Sequence, residues 1–579
     1  MKKNDEIEIL IEDMGEDGLG IGHLPLSEGG TFTVFVKDAV LGDRVRAVVT
    51  KVKKHYAYAK MLALLAPGAY RVEPVCPVAA RCGGCSMMQL AYSEQLRLKE
   101  RRVSSCLSRI GKIETPEKYA LPIVGMEHPY RFRNKMQFPV GVGKNGEVQM
   151  GFYAGRTHSI IDQKTCVIGH PVNTYITDAL RELFSAWRCR YEDIIYDEML
   201  HKGLIRHVLT RVGFETGELM VCLVINGKRL PDGCDEELTK ALDKALDAYK
   251  KDLSEGRIEE GPGVGEIRLT SLSCNINREK TNRILGDSTV TVSGSDRIAE
   301  VLGGNRFLIS PQSFFQVNPV QTEKLYAKAV AFAGLTKDET VWDMYCGIGT
   351  ITLALSRSAK RVYGVEIVPQ AIEDARENAA ANGVTNVEFF AGKAEEVIPK
   401  LYAEDPAKYR ADVVVVDPPR KGCDPALLDT LLSMSPERIV YVSCDPATLA
   451  RDIAYLSDGG YELKAYQPFD QFCHSSHVET VCLLSQRKPD TTIEVDLDIS
   501  ELEVSSAETK ATYEEIKSYV LKKFGLKVSN LYIAQVKREC GIVERINYNL
   551  PKTEGNRVPQ CPEDKRKAIK DAFIHFQMI

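Results

Sequence analysis

The sequence predicts an α/β enzyme. A doubly wound sheet carries the chemistry, preceded by a small β-barrel and a mixed α+β segment and followed by a small helical appendage. Three observations predict this. From about 309 to 487, apolar runs ("ETVWDMYC", "RVYGVEIV", "DVVVVDPP", "RIVYVSC", "VETVCLLS") alternate with helical stretches such as "PQAIEDARENAAANG" and "DPATLARDIAYL". That is the texture of a largely parallel sheet, whose ligands sit at the carboxyl edge of its strands. Residues 6–65 hold short strands broken by Gly15, Gly18, Gly20 and Gly22, a density that fits a small barrel. The stretch "CPVAARCGGC" sets Cys76, Cys82 and Cys85 close together, which asks for a metal or a reaction.

A chain of 579 residues is long for one core, so four segments are expected: 1–65, 66–308, 309–487 and 488–579. Apolar residues make up 44% and charged residues 27%, the balance of an ordinary globular protein. The start, "MKKNDEIEIL", has no apolar core of a secretory signal, and no run approaches the roughly 18 apolar residues of a membrane span. A soluble, cytoplasmic monomer is expected. Without export, sixteen cysteines point to metal binding or catalysis rather than disulfides. The net charge of −5 hides two basic stretches, +5 over residues 37–60 and +6 over residues 510–579. Both suit a phosphate backbone, although a solvated surface accounts for either alone.

Taken in order, "IEILIED" and "GGTFTVFVKDAVLGDRVRAVVTKVKKHYAYAKMLALL" supply the barrel strands. "SEQLRLKERRVSSCLSRIG" reads as an amphipathic helix, and "YRFRNKMQFPVGVGKNGEVQMGFY" as a hairpin turning at Lys-Asn-Gly. Arg131, Arg133 and Lys135 alternate and would share one strand face. "KDLSEGRIEEGPGVGEI" reads as a surface loop. Beyond the sheet, "TIEVDLDISELEV" is a strand or a linker, "TYEEIKSYVLKKFGLKVSNLYIAQVKRECGI" is two helices around a turn, and "CPEDKRKAIKDAFIHFQMI" is one more helix. "SNLYIAQVKRECGI" is either a nucleic-acid-reading helix or a packing module.

A cofactor site is visible at "VWDMYCGIGTITLAL", where a strand runs into Gly347 and Gly349 and a helix follows. Glycine lets backbone amides approach a ligand there. The next strand ends in Glu366, seventeen residues after Gly349, where such folds place the carboxylate that binds ribose hydroxyls. The third glycine of a dinucleotide loop is missing, so S-adenosylmethionine fits better than NAD. "VVVVDPPRKG" delivers Asp417 to the same edge, with two prolines fixing its backbone. Arg420 stands where amino-group methyltransferases carry an aromatic residue, which argues against nitrogen methylation.

"RIVYVSCDPATLARD" places Cys444 between a strand and a helix N-terminus, where a thiol gains thiolate character. Inert packing is the plainer reading of a lone cysteine. Cys346, in the glycine turn, is a rival, but it should lie under the cofactor. Glu479, in "SSHVETVCLL", begins another strand and by itself reads as a surface charge. Together these groups form a mechanism. Thiolate attack on C6 of a pyrimidine creates an enolate that takes a methyl group at C5, and a carboxylate then removes the C5 proton.

At this point "SFFQVN", "DMYCGIGT", "VVVVDPPRKG", "YVSCDPATLARD" and "HVETV", in this order across roughly 305–485, resemble the RNA uracil-C5 methyltransferases. The N-terminal segment resembles the TRAM domain, an RNA-binding barrel of the family's ribosomal RNA branch. The resemblance implies Cys444 as nucleophile and Glu479 as base. It also implies Gln316, Tyr345, Glu366 and Asp417 as contacts to S-adenosylmethionine, with Asp417 a second candidate for orienting uracil. Cys76, Cys82 and Cys85, with Cys166 of "DQKTCVIGHP", match a set that holds a 4Fe–4S cluster in such relatives. From the thiols alone, zinc stands close behind iron–sulfur.

The implied partner is RNA, with the target base flipped out of its stack. The implied substrate is 23S ribosomal RNA, with transfer RNA as the alternative. A cytosine-C5 enzyme presents its cysteine after proline, whereas this chain reads Ser443-Cys444-Asp445. The alternative of another class is a non-catalytic iron–sulfur protein that binds RNA or senses redox state, built on a degenerate methyltransferase fold. Intact Cys444, Glu479 and Asp417 count against it.

Overall fold

The computed structural model describes residues 1–26, 29–155, 157–259, 261–263, 266–487, 513–540, 561–576 and 578. The chain forms two compact units, Met1–Lys488 and Pro489–Ile579. Among the described residues no helix is long and apolar enough to cross a membrane.

The first unit opens with a six-stranded sheet between Glu6 and Ala66. Strand Arg44–Val52 pairs with Tyr56–Ala66 through three register irregularities, and such bulges coil a sheet on itself. Its inner face buries Ile9, Ile11, Val34, Val36, Val45, Ala47 and Val49. A helix α1 (Tyr92–Arg109) follows. Its inward face carries Leu98, Val103 and Leu107, but also buried Gln95 and Lys99, which have polar work described below.

A second, seven-stranded sheet fills residues 135–294, covered by helices Val172–Arg190 and Cys234–Ser254. The expected hairpin is present: Lys135–Val142 pairs antiparallel with Val148–Tyr153. The turn between them contains Gly146 at φ 85°, a left-handed conformation natural to glycine. The expected shared face of Arg131, Arg133 and Lys135 is corrected in part. The strand begins at Lys135, and Arg131 lies before it at φ 58°, so alternation does not reach it. Its guanidinium pairs with Glu259 at 3.1 Å. The expected surface loop over 251–267 begins as the last turn of the helix ending at Ser254; residues 260, 264 and 265 lie outside the described residues.

The catalytic sheet has seven strands: β1 (Thr340–Met344), β2 (Arg361–Glu366), β3 (Val387–Ala391), β4 (Val413–Val416), β5 (Arg438–Ser443), β6 (Tyr461–Phe469) and β7 (Glu479–Gln486). Their order is β3-β2-β1-β4-β5-β7-β6. The first five run parallel, whereas β7 is antiparallel to both β5 and β6. Five helices frame the edge where ligands would sit: α2 (Pro319–Ala333), α3 (Thr350–Ser356), α4 (Pro369–Ala381), α5 (Pro425–Met434) and α6 (Pro446–Asp458). Four of them begin with proline, which lacks the N–H that a first turn leaves unpaired. Strand β4 is four buried valines, as a central strand covered on both faces requires.

Strand β6 is an edge, but the N-terminal half covers it. Leu121 N donates to Tyr466 O at 2.8 Å, Val124 N to Pro468 O at 3.0 Å, and Asp470 N to Val124 O at 3.0 Å. This blunts a row of groups that would otherwise recruit another strand.

In the second unit α7 (Tyr513–Phe524), α8 (Asn530–Glu539) and α9 (Glu563–His575) surround Ile516, Val520, Ile533, Val536, Ile569 and Phe573. The three helices expected there are found. "TIEVDLDISELEV" lies outside the described residues.

Candidate active site

The cofactor end is built where β1 meets α3. Tyr345, Gly347 and Gly349 all have positive φ, at 90°, 54° and 86°. At Gly347 an added Cβ would meet nothing within 4 Å, so open space faces this turn. Tyr345 holds a conformation that costs a bulky residue about 1–3 kcal/mol. Hydrogen bonds from Tyr345 N (2.9 Å) and Cys346 N (3.0 Å) to Val365 O lock it there. Glu366 closes the cradle, accepting from Gly347 N at 3.3 Å and Val368 N at 3.0 Å. Beneath it, buried Asp343 accepts from Thr352 Oγ1 at 2.5 Å while its second oxygen stays unpartnered. Burial, with Glu366 nearby, lifts Asp343 to about 7.

Gln316 reaches this cradle from the segment before α2. Its side chain lies beside the buried Tyr326 hydroxyl and acts on it, and that hydroxyl meets Thr350 Oγ1 at 3.2 Å. Asp417 follows β4, half-buried. Burial and then Asp343 raise it to about 7, and no protein hydrogen bond opposes them. An unpartnered carboxylate, an orphaned buried oxygen and a glycine turn facing open space fit a cationic, hydroxyl-bearing ligand such as S-adenosylmethionine. Cys346 lies buried under the turn against Gly364, as expected for the rival thiol.

Sheet register brings the second pair together. Ser443 of β5 stands opposite Thr480 of β7, and their chain neighbours Cys444 and Glu479 lie near enough for the Glu479 charge to act on the thiol. Cys444 is half-buried. Burial, then Glu479 and Asp417, push its thiol up to about 12, while Arg420 pulls it down. Glu479 is 5% exposed. Burial and then Asp417 raise it to about 8, with Arg420 again opposing. Arg420 is thus the cation that both groups feel. Such a site can hold a thiol and a carboxyl group on one side of a flat ring and exchange a proton with it.

Two anchors fix these groups. The first ties the 417–423 loop to α6. Buried Asp452 accepts from Cys423 N at 2.8 Å and from the Tyr441 hydroxyl at 2.6 Å. Arg451 reaches Lys421 O and Cys423 O, and the Thr448 hydroxyl donates to Arg420 O at 3.2 Å. Gly422 sits at φ 78°, where a Cβ would strike Arg451 and Asp452 at 2.5 and 2.7 Å. The second anchor holds the 470–478 loop that delivers Glu479. Asp470 pairs with Lys99 and accepts from the Tyr92 hydroxyl at 2.6 Å. His474 meets Gln95 at 3.3 Å, Pro129 O at 2.9 Å and the Tyr130 ring at 4.7 Å.

The four thiols come together as well. Cys76, Cys82, Cys85 and Cys166 line one cavity of about 460 Å³, whose far wall includes Arg420, Phe472 and His477. Cys166 is lifted to about 11 by burial first, and then by Cys82 and Cys76. Cys85 is raised by burial and by the other three thiols. Among the described residues no three His, Cys, Asp or Glu side chains are placed to hold a metal ion. Arg133 and Lys135 line the cavity too; burial depresses both, Lys135 to about 7.

Several participants escape sequence reasoning. Tyr326 sits inside an unremarkable helix. The Lys99–Asp470 pair spans 371 residues of sequence, and no local pattern signals it. Phe314, two positions before Gln316, is 74% exposed; an aromatic ring so exposed beside a candidate site is the one local signal available.

Comparisons with known proteins bear on the family and the fold. The family model described as tRNA (Uracil-5-)-methyltransferase matches residues 292–487, and the TRAM domain model matches residues 2–62. An RNA methyltransferase of Clostridium tetani without assigned function is 44% identical over 485 residues, covering 84% of this chain and 97% of its own. One from Listeria monocytogenes is 46% identical over 486 residues, covering 84% and 98%. The solved structure of Pyrococcus abyssi tRNA (uracil-54, C5)-methyltransferase with S-adenosyl-L-homocysteine aligns with a TM-score of 0.62 at 26% identity. It covers 83% of this chain and 100% of that one. The chain therefore belongs to the uracil-5-methyltransferase family of S-adenosylmethionine-dependent RNA-modifying enzymes, in a form that begins with a TRAM domain.

Proposed function

We propose that the enzyme methylates C5 of a uridine in 23S ribosomal RNA, with Cys444 as nucleophile and Glu479 as base. The observation that supports this reading is the meeting of β5 and β7 at Ser443 and Thr480, next to Cys444 and Glu479, with Asp417 and Arg420 acting on both groups. The thiolate adds to C6 and the 5,6 double bond opens as an enolate, which takes the methyl group of S-adenosylmethionine at C5 as the sulfur–methyl bond breaks and S-adenosylhomocysteine is left. Glu479 takes the C5 proton, the double bond re-forms, and the C6–sulfur bond breaks to release Cys444. Arg420 favours the ionised form of both groups. The uridine enters flipped out of its stack, and exposed Phe314 offers a face for an unstacked base.

Gln316, Tyr345, Glu366 and Asp417 hold S-adenosylmethionine in this reading. When bound, it supplies an electrophilic methyl group. The strained Tyr345 backbone and Glu366 shape the cradle, and Asp417 brings a carboxylate to a cationic ligand.

Cys76, Cys82, Cys85 and Cys166 would hold a 4Fe–4S cluster. Four thiolates on one zinc ion would sit about 3.8 Å apart, given Zn–S bonds of about 2.3 Å in a tetrahedron. A cubane gives each thiolate its own iron and spreads them further. The four thiols share one cavity, and the choice of the cluster over zinc rests on the resemblance of the cysteine spacing. The cluster supplies cross-linking rather than electrons, since this methyl transfer needs none. Protein purified without oxygen is expected to absorb broadly near 400 nm, and Cys166→Ala to lose that band; a colourless protein containing zinc overturns the assignment.

Transfer RNA is the second reading, because the Pyrococcus abyssi relative, described as a tRNA enzyme, aligns over its full length. The test is mapping of 5-methyluridine in both RNA classes from a strain lacking the protein. Loss at a 23S position supports the proposal, and loss in transfer RNA alone replaces it with the second reading.

A further inference from the structure

We propose that the second unit is an RNA-binding module, whose contact surface is a basic patch around Phe524 at the end of α7. The unit has its own core. The relatives, 97–98% of whose length is matched, align with 84% of this chain over 485–486 residues. That span is close in length to the first unit, Met1–Lys488, so those relatives leave no room for a counterpart of the second.

Packing places the patch. Tyr519 of α7 stacks on His575 of α9 at 4.2 Å, and one turn later Lys523 pairs with Asp571 at 2.7 Å. Numbers rise along α7 as they fall along α9, so the helices are antiparallel. Residues 567, 571 and 575 form one stripe of α9, which continues past Asp571 to Lys567 beside the end of α7. There Lys522, Lys523 and Lys527 are exposed, as is Lys567. Leu521 and Phe524 are exposed among them, at 47% and 41%. Lys523 lies 5.3 Å from the Phe524 ring and shares its charge with Asp571. Lys522, Lys527 and Lys567 make no ion pair among the described residues.

Unpaired lysines around a solvent-facing aromatic ring are what an unstacked nucleic-acid strand takes. The ammonium groups meet phosphates, and the ring meets a base without regard to its identity. A duplex would satisfy the lysines but leave Phe524 unused, so single-stranded or loop RNA is the partner. A second grip on one chain raises the apparent affinity without touching the target base.

The test uses the full chain and a labelled single-stranded RNA oligonucleotide, titrated by fluorescence anisotropy at about 50 and 200 mM salt. Lys522→Glu/Lys527→Glu/Lys567→Glu is expected to weaken binding by more than tenfold at the lower salt. It should also flatten the log–log salt slope by about 2, at roughly 0.7 per phosphate contact. Phe524→Ala is expected to weaken binding by roughly fivefold or more with the slope unchanged. The corresponding lysine-to-glutamine variant should show a smaller loss in the same direction, with far-UV circular dichroism unaltered in all. Unchanged affinity and slope in the glutamate variant overturn the proposal and leave the patch to a protein partner. An unaffected Phe524→Ala overturns the single-stranded class. Because binding is read without turnover, failure here is distinct from failure of the catalytic assignment.

Discussion

Lys99, on α1, and Asp470, at the head of the loop that delivers Glu479, form an ion pair in which both side chains are at most 1% exposed. Lys99 also donates to Phe472 O at 3.1 Å, and the Tyr92 hydroxyl satisfies the second Asp470 oxygen at 2.6 Å. Burying two charges is costly, and breaking such a pair on one side leaves a charge stranded. Lys99→Met is therefore expected to cost about 3–5 kcal/mol in urea unfolding. Pairing it with Asp470→Leu should recover most of that loss. A single variant as stable as the parent would show that the pair holds nothing.

Cys444 and Glu479 act at opposite ends of the reaction, so their variants should fail differently. Cys444→Ala is expected to form no covalent complex with 5-fluorouridine RNA, on which the parent enzyme stalls because fluorine cannot leave as a proton. Glu479→Gln should accumulate a covalent complex with ordinary uridine RNA, visible as a slow band on a denaturing gel, since thiolate release waits on proton removal. A complex from Cys444→Ala would sink the nucleophile assignment.

Acidity gives two trends of opposite sense. Glu479 sits at about 8, and it must be ionised to accept the C5 proton. Methylation under kcat/KM conditions should therefore climb as pH rises through about 8. Stability should run the other way. Glu479 at about 8, and Asp417 and Asp343 at about 7, keep protons that the unfolded chain has released above about 4. The folded state binds more protons across that window, so its stability falls as pH rises from about 4 to 8. Thermal midpoints measured at pH 5 and pH 8 check the trend. Glu479→Gln should show a smaller drop between them than the parent.

The Tyr326 hydroxyl bonds Thr350 and lies beside the Gln316 side chain under the cofactor cradle. Its loss in Tyr326→Phe frees Gln316 and removes about 1 kcal/mol of hydrogen bonding. The expected result is a roughly fivefold rise in KM for S-adenosylmethionine with kcat within a factor of two. An unchanged KM would show that Tyr326 does not position Gln316.

What the sequence reveals, and what it hides, follows the range of the interactions involved. Strand β4 is legible because four consecutive valines satisfy a strand covered on both faces. The glycine turn is legible because close backbone approach admits few other residues. Strands β3 and β6 escape, since "VEFFA" is short and "YELKAYQPF" mixes charge, proline and aromatic residues. Their pairing is decided by neighbours distant in the chain. Arg131 looked like part of an alternating face until its φ of 58° took it off the strand. The thiols and the catalytic residues are legible one by one. That one cavity joins the thiols to Arg420 and His477 is a tertiary fact with no local trace.

The loop from Asp470 to His477 rests in part on Asn318 and Thr322 of its own half and in larger part on residues made hundreds of positions earlier: Lys99, Tyr92, Gln95, Pro129 and, through the Ser476 hydroxyl, Glu16 O. Synthesis runs from the N-terminus, so this seat is assembled before the loop leaves the ribosome. The base itself belongs to the same sheet as the nucleophile's strand, opposite Phe469 of β6, but the loop that leads into it is braced on a surface already folded. The two halves are consequently not interchangeable parts. A recombination crossover near residue 308 that exchanged one half with a distant relative would return a sheet that folds while the loop leading to its base loses the Lys99–Asp470 brace.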